Sequence, residues 1–82
     1  MRILLSLAAQ KDLARLAKEA QKRVLKKLEE YEQSPHPMEF AKRLHSDSEG
    51  THRFRIGEWR AKCIVDKDIV VTRVLHRSKA YR

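Results

Sequence analysis

Eighty-two residues carry 19 Lys and Arg against 11 Asp and Glu, for a net charge of +8 and a pI near 10.1. A chain of this length makes one domain, residues 1–82, with a modest core, and its charge calls for a polyanionic partner. A single cysteine, Cys63, excludes an internal disulfide framework. The apolar run in MRILLSLAAQ is too short for a signal peptide or a span, so a cytoplasmic protein is expected.

Taken in order, Ile3 to Leu7 is a short apolar stretch that reads as a strand, with helix as the alternative for so short a run. Residues 8–33 contain no Gly or Pro, and Leu13, Leu16, Ala17, Ala20, Val24, Leu28 and Tyr31 form a stripe at helical spacing. A straight helix of that length would measure about 39 Å, more than the roughly 30 Å width of a compact chain this size. A break between Leu16 and Gln21 is therefore expected, giving an antiparallel helix pair that covers one face of a sheet. Ser34-Pro35-His36-Pro37 stops the second helix, because each proline disfavours helix at the residue before it. Met38 to Leu44 reads as one more helical turn, with Phe40 and Leu44 reaching the core. His45 to Gly50, HSDSEG, is rich in turn formers and is the segment expected to move most.

From Thr51 onward the chain carries nine basic residues against three acidic ones, while the first fifty carry ten against eight. The same residues alternate with period two, which places the charge on half-buried strands. Strand-borne charge of this kind suits nucleic acid better than a membrane, which would be met by an amphipathic, aromatic-rich helix. Ile56-Gly57-Glu58-Trp59 reads as a two-residue hairpin with Gly first. Its register sets Phe54 opposite Ala61 and His52 opposite Cys63 on one face, and Arg55 opposite Arg60 and Arg53 opposite Lys62 on the other. Opposed like charges disfavour a strand pair, so an anionic ligand explains them better than folding does. Ile69 to Leu75 supplies a third strand. If Lys67-Asp68 is a two-residue turn, Val65 faces Val70 and Arg73 joins Lys62; a central strand covered on both sides fits this apolar segment equally well.

The remaining chemistry is sparse. His36, His45, His52 and Cys63 show no metal-ligand spacing, so neither metal nor cofactor is expected. His76 is a candidate proton-transfer group by residue type, although strand parity points it away from Arg77. Tyr81 reads either as an anchor at the chain end or as a platform for a base.

HRFRIGEWRAKCIVDKDIVVTRVLHRSKAY resembles the RelE/ParE superfamily of type II toxins in the order and spacing of its RIGEWR and HRSKAY motifs. The resemblance extends to AQKDLARL, the Lys-rich helix, the proline stop and Lys42-Arg43-Leu44. It implies a RelE-like α+β fold: a mostly antiparallel four-stranded sheet, ordered β-α-α-β-β-β along the chain, against two N-terminal helices. In the RelE branch it implies a ribosome-dependent, metal-free endoribonuclease that cuts mRNA in the A site; in the ParE branch, a poison of DNA gyrase. A non-catalytic RNA-binding module is the reading supported by charge alone. The positions matching the nuclease pattern are Arg53, Arg55, Arg60, Arg77 and Tyr81. Arg55, Arg60, Arg77 and Tyr81 are the expected catalytic set, and Arg53, Lys62 and Arg73 the expected RNA contacts. Arginine replaces a lysine found at positions 53 and 55 in some relatives, which favours phosphate binding over proton transfer there. Ribosome, mRNA and a cognate antitoxin protein are the implied partners.

Overall fold

The computed structural model describes residues 1–81. Its elements are β1 (Ile3–Leu5), α1 (Leu7–Ala14), α2 (Lys18–Gln33), a 3₁₀ turn (Pro37–Phe40), β2 (Ala41–Arg43), β3 (His52–Ile56), β4 (Trp59–Val65), β5 (Ile69–His76) and α3 (Arg77–Ala80). The α+β class is as expected, but the sheet has five strands in the order β1-β5-β4-β3-β2. β1 runs parallel to β5, and the other neighbours are antiparallel. The additional strand is β2. Its three residues are too few to display an alternation, and they become a strand by setting Lys42 opposite Arg53.

That strand also corrects the helical turn expected over Met38 to Leu44. Pro37 opens a single 3₁₀ turn that ends at Phe40, where Ala41 turns extended. Phe40 stays 48% exposed and does not enter the core. Its ring instead stacks on Tyr31 at 4.7 Å, and Tyr31 stacks on the fully buried Phe54 at 5.0 Å.

The Ser6 hydroxyl caps α1 by accepting the Ala9 N–H at 3.1 Å, satisfying one of the orphan donors of a helix start. The long apolar stripe does break, slightly earlier than expected. Arg15 and Leu16 donate back to Asp12 and Leu13 in tight turns, and Ala17 is extended before α2 begins. Val24, Leu28 and Tyr31 then share one face of α2 and join Phe54, Ile56, Ala61, Cys63, Ile69, Val71 and Val74 in the core. Truncating a ring such as Phe54 costs about 3–5 kcal/mol in sites of this kind. The radius of gyration is 11.5 Å.

Both sides of β5 are occupied, but by different means. β1 pairs only with Ile69, Val70 and Val71. Beyond it the Ser6 hydroxyl donates to the Thr72 carbonyl at 3.0 Å, and the Asp12 carboxylate accepts the Val74 N–H at 2.9 Å. Helix α1 thus replaces the missing stretch of neighbouring strand. The outer edge of β1 is blunted as well: Ile3 N–H donates to Glu32 at 2.6 Å, and the Gln10 amide donates to the Leu5 carbonyl at 3.1 Å, which discourages edge-to-edge pairing.

The hairpin register is the expected one throughout, from Ile56 opposite Trp59 to His52 opposite Cys63. Gly57 has φ +60°, as a primed turn with Gly first requires. The next turn differs. It holds three residues, Asp66 to Asp68, closed by the Asp66 N–H on the Asp68 carbonyl at 3.0 Å, so Val65 faces Ile69 and not Val70. An irregularity at Lys62/Cys63 then absorbs Thr72 and restores Lys62 opposite Arg73.

Candidate functional site

The β3–β4 hairpin delivers the arginines by strand parity. With Phe54, Ile56 and Ala61 directed into the core, their neighbours Arg53, Arg55 and Arg60 must take the other face. Arg60 is the most constrained. It is only 6% exposed, and its Nη1 donates to the carbonyls of Gly57 at 2.8 Å and Trp59 at 2.9 Å. One edge of the guanidinium is thereby fixed against the hairpin turn. Burial lowers its pKa first, the positive field of Arg55 and Arg53 lowers it further, and the adjacent Tyr81 phenol acts in the opposite sense. A guanidinium remains charged at neutral pH even so. Among the described residues, Arg53, Arg55, Arg60 and Arg77 make no ion pair.

Arg55 is exposed and Arg53 half-buried. Arg77 is exposed at the start of α3, and its backbone N–H donates to the Glu58 carbonyl at 2.7 Å. That bond brings the head of the HRSKAY motif to the hairpin turn on which Arg60 is anchored. Tyr81 is 45% exposed, with its ring 5.9 Å from Lys62 Nζ. It stands over the cluster and is not a core anchor. Ala80 beside it, 2% exposed, is the residue that holds the chain end down.

His76 lies apart from this group. Its ring meets Trp59 edge-on at 5.4 Å, and its Nδ1 accepts the Ser78 N–H at 3.2 Å, capping α3. The structure gives it a positioning role at the helix start and does not bring it to the arginines.

Lys62 and Arg73 differ most from their expected setting. Lys62 is 4% exposed and donates to Asp47 at 2.8 Å and Glu49 at 3.4 Å. Arg73 binds Asp12 through Nε at 2.8 Å and Nη2 at 3.1 Å, and reaches Glu49 through Nη1 at 2.7 Å. The Lys62 hydrogen bond holds the Asp47 carboxyl below its ordinary range. For Asp12 burial is the largest influence and acts upward, yet the Arg73 and Val74 hydrogen bonds outweigh it and the net direction is down. Asp12, Asp47 and Glu49 were not among the sequence candidates. The signal available for the latter two was a loop with two acids leading straight into the basic strands. Arg23 of α2 was also missed, although it lies against the hairpin turn: a Cβ on Gly57 would stand 3.2 Å from its Nη1.

A cavity of about 600 Å³ opens beside these pairs, lined by His45, Asp47, Glu49, Lys62, Lys79 and Tyr81 among others. Among the described residues, no helix is long and apolar enough to cross a membrane.

Among solved structures, the toxin–antitoxin complex RelBE2 from Mycobacterium tuberculosis is similar in fold, with a TM-score of 0.79 and 24% identity over 93% of this chain and 96% of that one. No curated protein matches significantly. The family model of the ParE toxin of type II toxin–antitoxin systems matches residues 3–81, which takes in every strand, both long helices and the arginine hairpin. The chain therefore belongs to the ParE toxin family of type II toxin–antitoxin systems, within the RelE/ParE superfamily.

Proposed function

We propose that the protein is a ribosome-dependent endoribonuclease that cleaves mRNA in the ribosomal A site without a metal. One observation carries the reading: Arg60 is buried, locked to two turn carbonyls, without a carboxylate partner among the described residues, and surrounded by Arg53, Arg55 and Tyr81. A fixed guanidinium with its remaining N–H groups directed at a phosphate suits a transition state that gathers charge on phosphate oxygens. In the reaction, the ribose 2′-oxygen attacks the adjacent phosphorus and loses its proton, while the phosphorus–5′-oxygen bond breaks and the leaving oxygen gains one. Arg60, Arg55 and Arg77 stabilise the phosphate charge. Tyr81 is the phenol placed to donate a proton to the leaving 5′-oxygen, which a guanidinium does not do, and the proton from the 2′-oxygen passes to solvent.

The second reading, inhibition of DNA gyrase, is favoured by the family model itself, which is that of ParE. Purified protein added to translating ribosomes, with cleavage sites mapped by primer extension, separates the two. A-site cuts support the nuclease. Intact mRNA together with lost gyrase supercoiling would replace that reading with the second. The partner is an antitoxin whose acidic segment covers the arginine face, and co-expression of the toxin with it should relieve toxicity and yield a co-purifying complex.

A further inference from the structure

The register aligns a second row of cations that meets the arginine cluster at Arg53. Lys42 lies opposite Arg53, Arg53 opposite Lys62, and Lys62 opposite Arg73. Directly opposed residues share a face, so these four form one row across β2, β3, β4 and β5, with strands about 4.8 Å apart. Lys42 is exposed and Arg53 half-buried, but Lys62 and Arg73 lie beneath the β2–β3 loop. Asp47 sits on Lys62, and Glu49 bridges Lys62 and Arg73, so two carboxylates cover the half of the row nearest β5. Arg73 keeps its Nε and Nη2 on Asp12, which leaves Nη1 as the group that Glu49 masks.

Polar contacts attach the acidic part of the loop to the sheet. Besides the ion pairs, the Thr72 hydroxyl donates to the Glu49 carbonyl, while within the loop itself Asp47 accepts the Glu49 N–H at 2.8 Å. Ser46 holds φ +56°, a left-handed conformation that is costly for a residue with a side chain. The cavity of about 600 Å³ lies between this loop and Tyr81, leaving room for a nucleotide next to the masked pair.

We propose that Lys62 and Arg73 are a second phosphate-binding stretch for single-stranded RNA, masked by Asp47 and Glu49, whose carboxylates occupy the places of phosphate oxygens until a strand displaces them. This extends the polyanion track from the arginine cluster towards β5, and it rests on the RNA reading above.

The test measures binding alone, using a fluorescent oligoribonucleotide with 2′-O-methyl riboses that cannot be cleaved. Asp47→Asn with Glu49→Gln keeps side-chain shape and removes both charges. It should bind roughly tenfold more tightly at 0.1 M salt, and the salt dependence should steepen by about 1.4, two phosphates at about 0.7 each for a single strand. Adding Lys62→Gln should return about half of that increase. An unchanged slope in a double variant with native circular dichroism would overturn the proposal and leave the acids as structural partners. If the double variant fails to fold, Glu49→Gln alone should steepen the slope by about 0.7, and no change in that variant has the same consequence. Arg55→Gln distinguishes the two levels. Weakened binding there with no effect of the loop variants defeats only this inference, whereas no effect in either defeats the RNA reading itself.

Discussion

Asp12→Ala tests how the edge of β5 is completed. The carboxylate accepts three hydrogen bonds, two from Arg73 and one from the Val74 N–H, at a residue 9% exposed. Removing it leaves a buried backbone N–H without its partner, which costs about 1–3 kcal/mol. It also removes a charge-assisted pair, but Arg73 retains Glu49 and is one-third exposed, so that loss falls at the lower end, about 1–2 kcal/mol. The total is about 3 kcal/mol, or roughly 12–24 °C in Tm for a domain of this size. Asp12→Asn preserves an acceptor for Val74 and should lose about half as much. The carboxyl's folded pKa is depressed, so the charge-dependent part of its contribution is fully present above the unfolded value of about 3.9 and is lost as pH falls through the folded one, while the protonated carboxyl still accepts from Val74 as Asn does. Urea titrations at pH 7 and below pH 4 should therefore show wild type and Asp12→Ala converging in acid. A loss under 1 kcal/mol at pH 7, or no convergence, would refute the idea that α1 completes the sheet through this side chain.

Arg60→Ala and Arg77→Ala should each slow single-turnover mRNA cleavage on saturating ribosomes by roughly 10²-fold, the scale of losing one oxyanion donor; purely binding defects would show that the catalytic groups lie elsewhere. Gly50→Ala should destabilise by about 1–3 kcal/mol in urea, because its Cβ would stand 3.0 Å from the Cys63 carbonyl oxygen and 3.1 Å from its nitrogen, and backbone cannot yield as a side chain can. Burial pushes the Cys63 thiol up to about 12, so native protein at pH 8 should resist thiol reagents and label fully in denaturant; rapid native labelling would mean that the sheet opens locally.

The arginine hairpin was legible in the sequence because three local signals agree there. Period two assigns the faces, Gly57 permits the primed turn, and the loop length fixes every partner from Ile56 and Trp59 to His52 and Cys63. The α2 stripe and the proline stop were legible for the same reason, since each depends on neighbours a few residues apart. What the sequence could not show are relationships between residues far apart in the chain. Ala41 to Arg43 has no strand signal of its own and extends only because β3 offers an edge. The three-residue turn after Val65 shifts the register, and a distant irregularity at Thr72 restores it. Asp12, 61 residues from Arg73, reads locally as a helix residue, and Asp47 and Glu49 read as turn formers. Only the packed sheet brings those acids onto Lys62 and Arg73, because an ion pair depends on distance in space while the pattern that places each residue on its face depends on distance along the chain.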